Sequence, residues 1–156
     1  MLASRNLLGE ERAKTLKEAL KIMEQITKDS KASTRDFFQL SQLHRSLGDR
    51  ESARKILGEL AQKESGNLVY GALLVDDLMN DGQSALAEPM LKRLTTGIHD
   101  VRIAGTVTRY YARLNDTRKA METVEKFTRS VDPGTKEAVI RQSQAAEMLD
   151  IASRIA

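Results

Sequence analysis

Residues 37–60 read FFQLSQLHRSLGDRESARKILGEL, and the pattern is that of two helices with a short break between them. Phe37, Leu40, His44 and Leu47 recur in steps of three and four residues, which places them on one helical face. Gly48 follows, suited to the left-handed backbone found just past a helix end. Asp49 stands where a side-chain oxygen can cap the next helix by accepting from its first free N–H groups. Ala53, Ile56, Leu57 and Leu60 then form the inner stripe of that second helix.

The same order of residues recurs along the chain. Tyr70, Leu73, Leu74 and Leu78 precede the turn Asn80-Asp81-Gly82, and Ala87, Met90, Leu91 and Leu94 follow it. Ile103, Val107, Tyr110, Tyr111 and Leu114 precede Asn115-Asp116-Thr117, and Ala120, Val124 and Phe127 follow. Ala19, Ala53, Ala87 and Ala120 lie at separations of 34, 34 and 33 residues, each with a large apolar residue four positions on: Met23, Leu57, Leu91 and Val124. A fixed period of this length marks stacked two-helix units. An alanine early in each second helix lets the first helix lie close against it, and the larger residue a turn later fills the space between units.

The expected fold is therefore all-α, an α-solenoid of antiparallel helix pairs forming one domain over 1–156. A partial repeat occupies 1–33, full repeats occupy 34–67, 68–100 and 101–133, and 134–156 forms a closing helix. Locally, Thr15 and Glu18 read as a capping box, with Leu7, Leu8 and Gly9 as either the stub of a partner helix or a frayed end. Pro89 falls past the first turn of a helix starting near Gln83 and should weaken or bend it. Asp132 reads as the cap of the last helix, with Pro133 at its first position. The abrupt start suggests a piece of a longer array.

Composition agrees with an elongated stack. Apolar residues make up 40% and charged residues 30%, the direction expected when each residue carries more surface. Cysteine is absent, so there is no disulfide framework or thiolate metal site, which suits a reducing, cytoplasmic compartment. No run of apolar residues is long enough to span a membrane, and Met1–Leu8 lacks the apolar core of a signal peptide. The net charge of +3 is unevenly spread: 13 basic and 10 acidic residues in 1–67, 2 and 5 in 68–100, 10 and 7 in 101–156.

Chemistry-bearing constellations are missing. His44 and His99 fall in different units, and no His-Glu-x-x-His helix, glycine-rich phosphate loop or nucleophile elbow occurs. Asp76 and Asp77 are helical neighbours that point about 100° apart, so they do not form an acid/base couple. The reading is of a non-enzyme with no cofactor and no metal.

Phe37 through Leu60 resembles the tetratricopeptide repeat. Phe37 matches its large opening residue, Leu40-Ser41 its Leu-small pair, Leu47-Gly48-Asp49 its turn, Ala53 its small residue in the second helix and Leu57 the large one after it. The resemblance extends over about three units and is degenerate. Val75 and Thr108 replace the small residue of the first helix, Gly71 and Ala104 replace the large opening one, and a closing proline occurs only at Pro133. The resemblance implies a superhelix whose first helices line a concave, partner-binding face. By that analogy, the partner-binding residues are Arg35, Phe38, Gln42, Arg45, Asp76, Met79, Arg102, Arg109, Arg113 and Lys136, with Val69, Ala72 and Ile140 also facing inward. Arginine forks grip carboxylates at two points, so the expected ligand is a protein or peptide segment carrying acidic and apolar residues. The competing reading is that these arginines simply solvate a face, or pair with Asp76 and Glu147 within the fold. A lysine/asparagine clamp for a terminal carboxylate is not present.

Two other functions compete with an interaction scaffold. One is RNA binding, but the aromatic fraction is only 4% and the acidic third repeat interrupts any basic track, so nucleic acid is a poor fit. The other is a spacer or dimerisation block, self-associating through exposed end helices.

Overall fold

The computed structural model describes the backbone of residues 2–155 and the side chains of residues 10–155. Among the described residues the chain is all-helical, with no strand. The helices are α1 (Leu2–Ile26), α2 (Thr34–Ser46), α3 (Arg50–Lys63), α4 (Leu68–Asn80), α5 (Ser84–Leu94), α6 (Val101–Arg113), α7 (Thr117–Arg129) and α8 (Lys136–Ile155), with a short 3₁₀ turn at Thr95–Gly97. No helix among the described residues is long and apolar enough to cross a membrane.

The α2–α3, α4–α5 and α6–α7 turns share one backbone device. Gly48 and Gly82 adopt φ of +84° and +71°, where an ordinary side chain would be strained. At the equivalent place in the next pair stands Asn115 with φ +56°, and asparagine is among the few non-glycine residues that tolerate this region. Caps follow the turns. Asp49 accepts from the Ser52 amide and Asp116 from the Lys119 amide, each at 3.1 Å. These bonds hold both carboxyls below their usual range: Asp49 chiefly through Ser52, with His44 contributing, and Asp116 chiefly through Lys119. Ser33 and Asp36 form a reciprocal capping box at the start of α2, and the bond to Ser33 likewise lowers Asp36.

Three local expectations are corrected. Thr15 caps nothing: α1 is continuous through it, and its hydroxyl donates instead to the Glu11 carbonyl at 3.0 Å. The side chains of Leu7, Leu8 and Gly9 lie outside the described residues, but the backbone there belongs to α1 and not to a separate stub. The last helix starts at Lys136, not at Pro133. Gly134 has φ +90°, which breaks helical geometry, and the Thr135 hydroxyl caps the Ala138 amide at 3.1 Å in place of Asp132. Pro89 sits inside α5, which runs through it to Leu94 and leaves the proline on the exposed side.

The chain divides into two compact units, Met1–Glu64 and Ser65–Ala156. In the first, α1 packs on α2 and α2 on α3. Leu40, Ala53, Leu57, Leu60 and Ala61 are buried, whereas Ile22 and Ile26 of α1 are exposed. In the second, α4 packs on α5 and α6, and α6 also packs on α7 and α8. One core joins Val75, Leu78, Ala87, Leu91, Leu94 and Val107, and another joins Ala104, Phe127, Ala145 and Met148. Each large apolar side chain fully buried this way contributes about 1.5–3 kcal/mol. Val75 and Thr108, the departures from the expected small residue, are both completely buried. The Thr108 hydroxyl bonds the Ala104 carbonyl at 2.8 Å, so it packs without an unmet polar group.

A candidate partner-binding cleft on α4, α6 and α8

Within the second unit, three helices each turn one face toward a cleft of about 300 Å³. Helix α4 supplies Val69, Ala72, Leu73 and Asp76, and α8 supplies Gln144, Glu147, Met148 and Ile151. Both sets follow the i, i+3, i+4, i+7 spacing of one helical face. Helix α6 lies between them and gives Val101, Arg102, Gly105, Thr106 and Arg109. The floor is made of small or buried residues, Ala72, Gly105, Thr106 and Met148. The rim carries exposed ones, Val101, Arg102, Glu147 and Ile151. The hollow exists because α6 presents glycine and threonine where a larger side chain would fill it.

The polar centre of the cleft is a three-residue network. Arg109 donates through Nη2 to Asp76 Oδ2 at 2.8 Å and Oδ1 at 3.0 Å, and to Thr106 Oγ1 at 3.1 Å. Thr106 in turn donates to Asp76 Oδ2 at 3.0 Å. Arg109 and Asp76 are 34% and 29% exposed, so the pair is only partly screened by water. On the rim, Arg102 lies 3.9 Å from Asp100 Oδ1, and Glu147 adds a second carboxylate.

The expected partner-binding residues fall in several places. Asp76, Arg102 and Arg109 line the cleft. Met79 is buried in the core. Arg113 is exposed and donates to Asn80 Oδ1 at 2.8 Å, and Lys136 is exposed at the first position of α8. Arg35, Phe38, Gln42 and Arg45 sit on α2, in the other unit; Arg35 is exposed and the remaining three are half-buried. Sequence reading missed Val101, Gly105, Thr106, Gln144, Met148 and Ile151 as lining residues. The available signal was the Ile140, Gln144, Glu147, Ile151 stripe on the flank of α8.

A second hollow of about 470 Å³ lies between α5, α6 and α7, lined by Glu88, Leu91, Lys92, Tyr110, Tyr111 and Lys119 among others. Its polar groups are already engaged with their neighbours. Lys119 bonds Asp116 at 2.9 Å and sits 5.3 Å over the Tyr111 ring, and Tyr111 meets Tyr110 edge-on at 5.6 Å. Burial, helped by the Glu88 charge, raises the Tyr110 phenol above its ordinary value. Among the described residues no group of three or more His, Cys, Asp or Glu side chains is placed to hold a metal ion.

No family model, curated protein sequence or solved structure matches this chain.

Proposed function

We propose that this chain is a tetratricopeptide-like scaffold, an α-solenoid of antiparallel helix pairs that performs no chemistry and holds a segment of a protein partner in the α4/α6/α8 cleft. The observation that carries the reading is the cleft itself: α4, α6 and α8 each offer one face to a common hollow, with apolar residues set around one polar network. Two side-chain ties support the repeat reading. Asp76–Arg109 and Asn80–Arg113 each join residues 33 apart, the spacing of Ala87 and Ala120. Equivalent positions of neighbouring units thus face each other. The cleft lining contains no aromatic ring, and its two arginines each have a carboxylate beside them, Asp76 at Arg109 and Asp100 at Arg102. Both facts weigh against a single-strand RNA site, which needs stacking platforms and a positive groove.

The test uses peptides selected from a phage-displayed random dodecapeptide library, titrated into the ¹⁵N-labelled full chain. Amides of α4, α6 and α8 should shift. Val101→Glu and Ile151→Glu, both at exposed rim positions, should abolish binding while changing stability by no more than about 0.5 kcal/mol. Binders that shift amides elsewhere and ignore both substitutions would remove the cleft from the reading.

A further inference from the structure

The anchor inside the cleft is electrically neutral, and this decides what kind of segment it can hold. The argument rests on the cleft being the partner site. Arg109 gives the Nη2 edge of its guanidinium to Asp76 and Thr106. Its Nη1 and Nε groups carry three more N–H donors, and these have no acceptor among the described residues. A side chain about one-third exposed, with one edge fixed and another edge of donors facing a hollow, is a pre-oriented donor. Gly105 leaves room for Nη1: a Cβ added there would lie 3.2 Å from it.

The charge of Arg109 is already matched by Asp76, and Arg102 on the rim lies 3.9 Å from the Asp100 carboxylate. A ligand carboxylate entering this site would be desolvated beside the Asp76 carboxylate, with no unmatched cation to compensate. A main-chain carbonyl meets the same donors without that cost. We infer that the cleft takes an uncharged, apolar stretch of polypeptide. Aliphatic side chains rest on Ala72, Leu73 and Met148, and a backbone carbonyl accepts from Arg109 Nη1 or Nε. Asp76 acts as the positioning residue. This preference departs from the acidic ligand that the number of arginines suggests.

The dodecapeptides selected on the full chain provide the probe. Those that shift cleft amides should show no excess of Asp or Glu over the starting library. Arg109→Lys keeps a cation beside Asp76 but loses the second edge of donors. It should weaken these peptides roughly tenfold to a hundredfold, the range for a lost hydrogen bond to a charged group, with the thermal midpoint preserved. Asp76→Asn should reverse the preference, weakening neutral peptides and strengthening acidic ones. That reversal decides the matter even if the lysine variant folds poorly. Cleft binders rich in Asp and Glu, or indifferent to both substitutions, overturn the inference and leave the cleft as the partner site. Selected peptides that leave the cleft amides unmoved overturn both.

Discussion

Gly71→Ala sets two effects of similar size against each other. At the end of the first turn of α4, alanine should favour the helix by up to about 1 kcal/mol. Its methyl would stand 2.7 Å from Met90 Sδ, 3.1 Å from Met90 Cγ and 3.4 Å from Leu94 Cδ2. Leu94 is fully buried and cannot retreat, so Met90 must leave its rotamer. Overpacking of this kind costs about 1–3 kcal/mol, and the net effect should run from neutral to about 2 kcal/mol destabilising. Gly105→Ala provides the reference. It carries the same propensity gain, but its methyl meets only Arg109 Nη1, at 3.2 Å, the tip of a long and partly exposed side chain. It should stabilise by about 0.5–1 kcal/mol. The difference between the variants cancels propensity and isolates packing, at about 1–3 kcal/mol. Urea unfolding followed by tyrosine fluorescence is the assay. Tyr70, Tyr110 and Tyr111 are the three tyrosines, tryptophan is absent, and all three lie in 65–156, so the signal reports that unit alone. A shift in midpoint at constant slope reads as stability. Equal upward shifts in both variants would refute the tight α4–α5 contact.

Two further outcomes are expected. Arg141→Met should destabilise the second unit by about 2–3 kcal/mol, since it removes charge-assisted bonds and a cation–π contact from a largely buried side chain; Arg141→Lys should recover only part of this, and urea midpoints check both. Asp116 is held low in the folded state by Lys119, so its contribution is present above about pH 3.9, the ordinary carboxylate value, and is lost as pH falls through the lower folded value. Asp116→Asn keeps a capping oxygen but should flatten that part of the acid limb in melts recorded from about pH 6 to 2.

The parts of the fold legible in the sequence were those fixed by local rules. The turns at Gly48 and Gly82, the caps at Asp49 and Asp116 and the buried alanines at 53, 87 and 120 each depend on a few neighbouring residues. The Thr15 expectation failed because a capping box needs a helix end, and the residues around it are strong helix formers with no break among them. The Asp132-Pro133 expectation failed because Gly134 takes a left-handed conformation and postpones the helix to a cap at Thr135. The Asp76–Arg109 pair is the one that the competing reading of the arginines named. The cleft floor was not: Gly105 becomes meaningful only once α4 and α8 lie on either side of α6. The face that α8 turns inward depends on where Ala145, Met148 and Ala152 seat, and that is a long-range packing outcome.

Arg141 has a consequence for how the cleft breathes. Its guanidinium reaches the His99 carbonyl at 2.9 Å, the Phe127 carbonyl at 3.3 Å and Ser130 Oγ at 2.6 Å, and it lies 4.8 Å over the Phe127 ring. This clasp fastens α8 near its start, while every residue that α8 gives to the cleft lies beyond it, from Gln144 to Ile151. The buried residues of that stretch are Ala145, Met148 and Ala152, two of them small. The wall of the site is therefore the part of α8 freest to lift away, and its amide protons should exchange with solvent sooner than those next to the clasp. A ligand seated against Met148 and Ile151 would slow that exchange, so occupancy of the cleft can be read as protection of the second half of one helix.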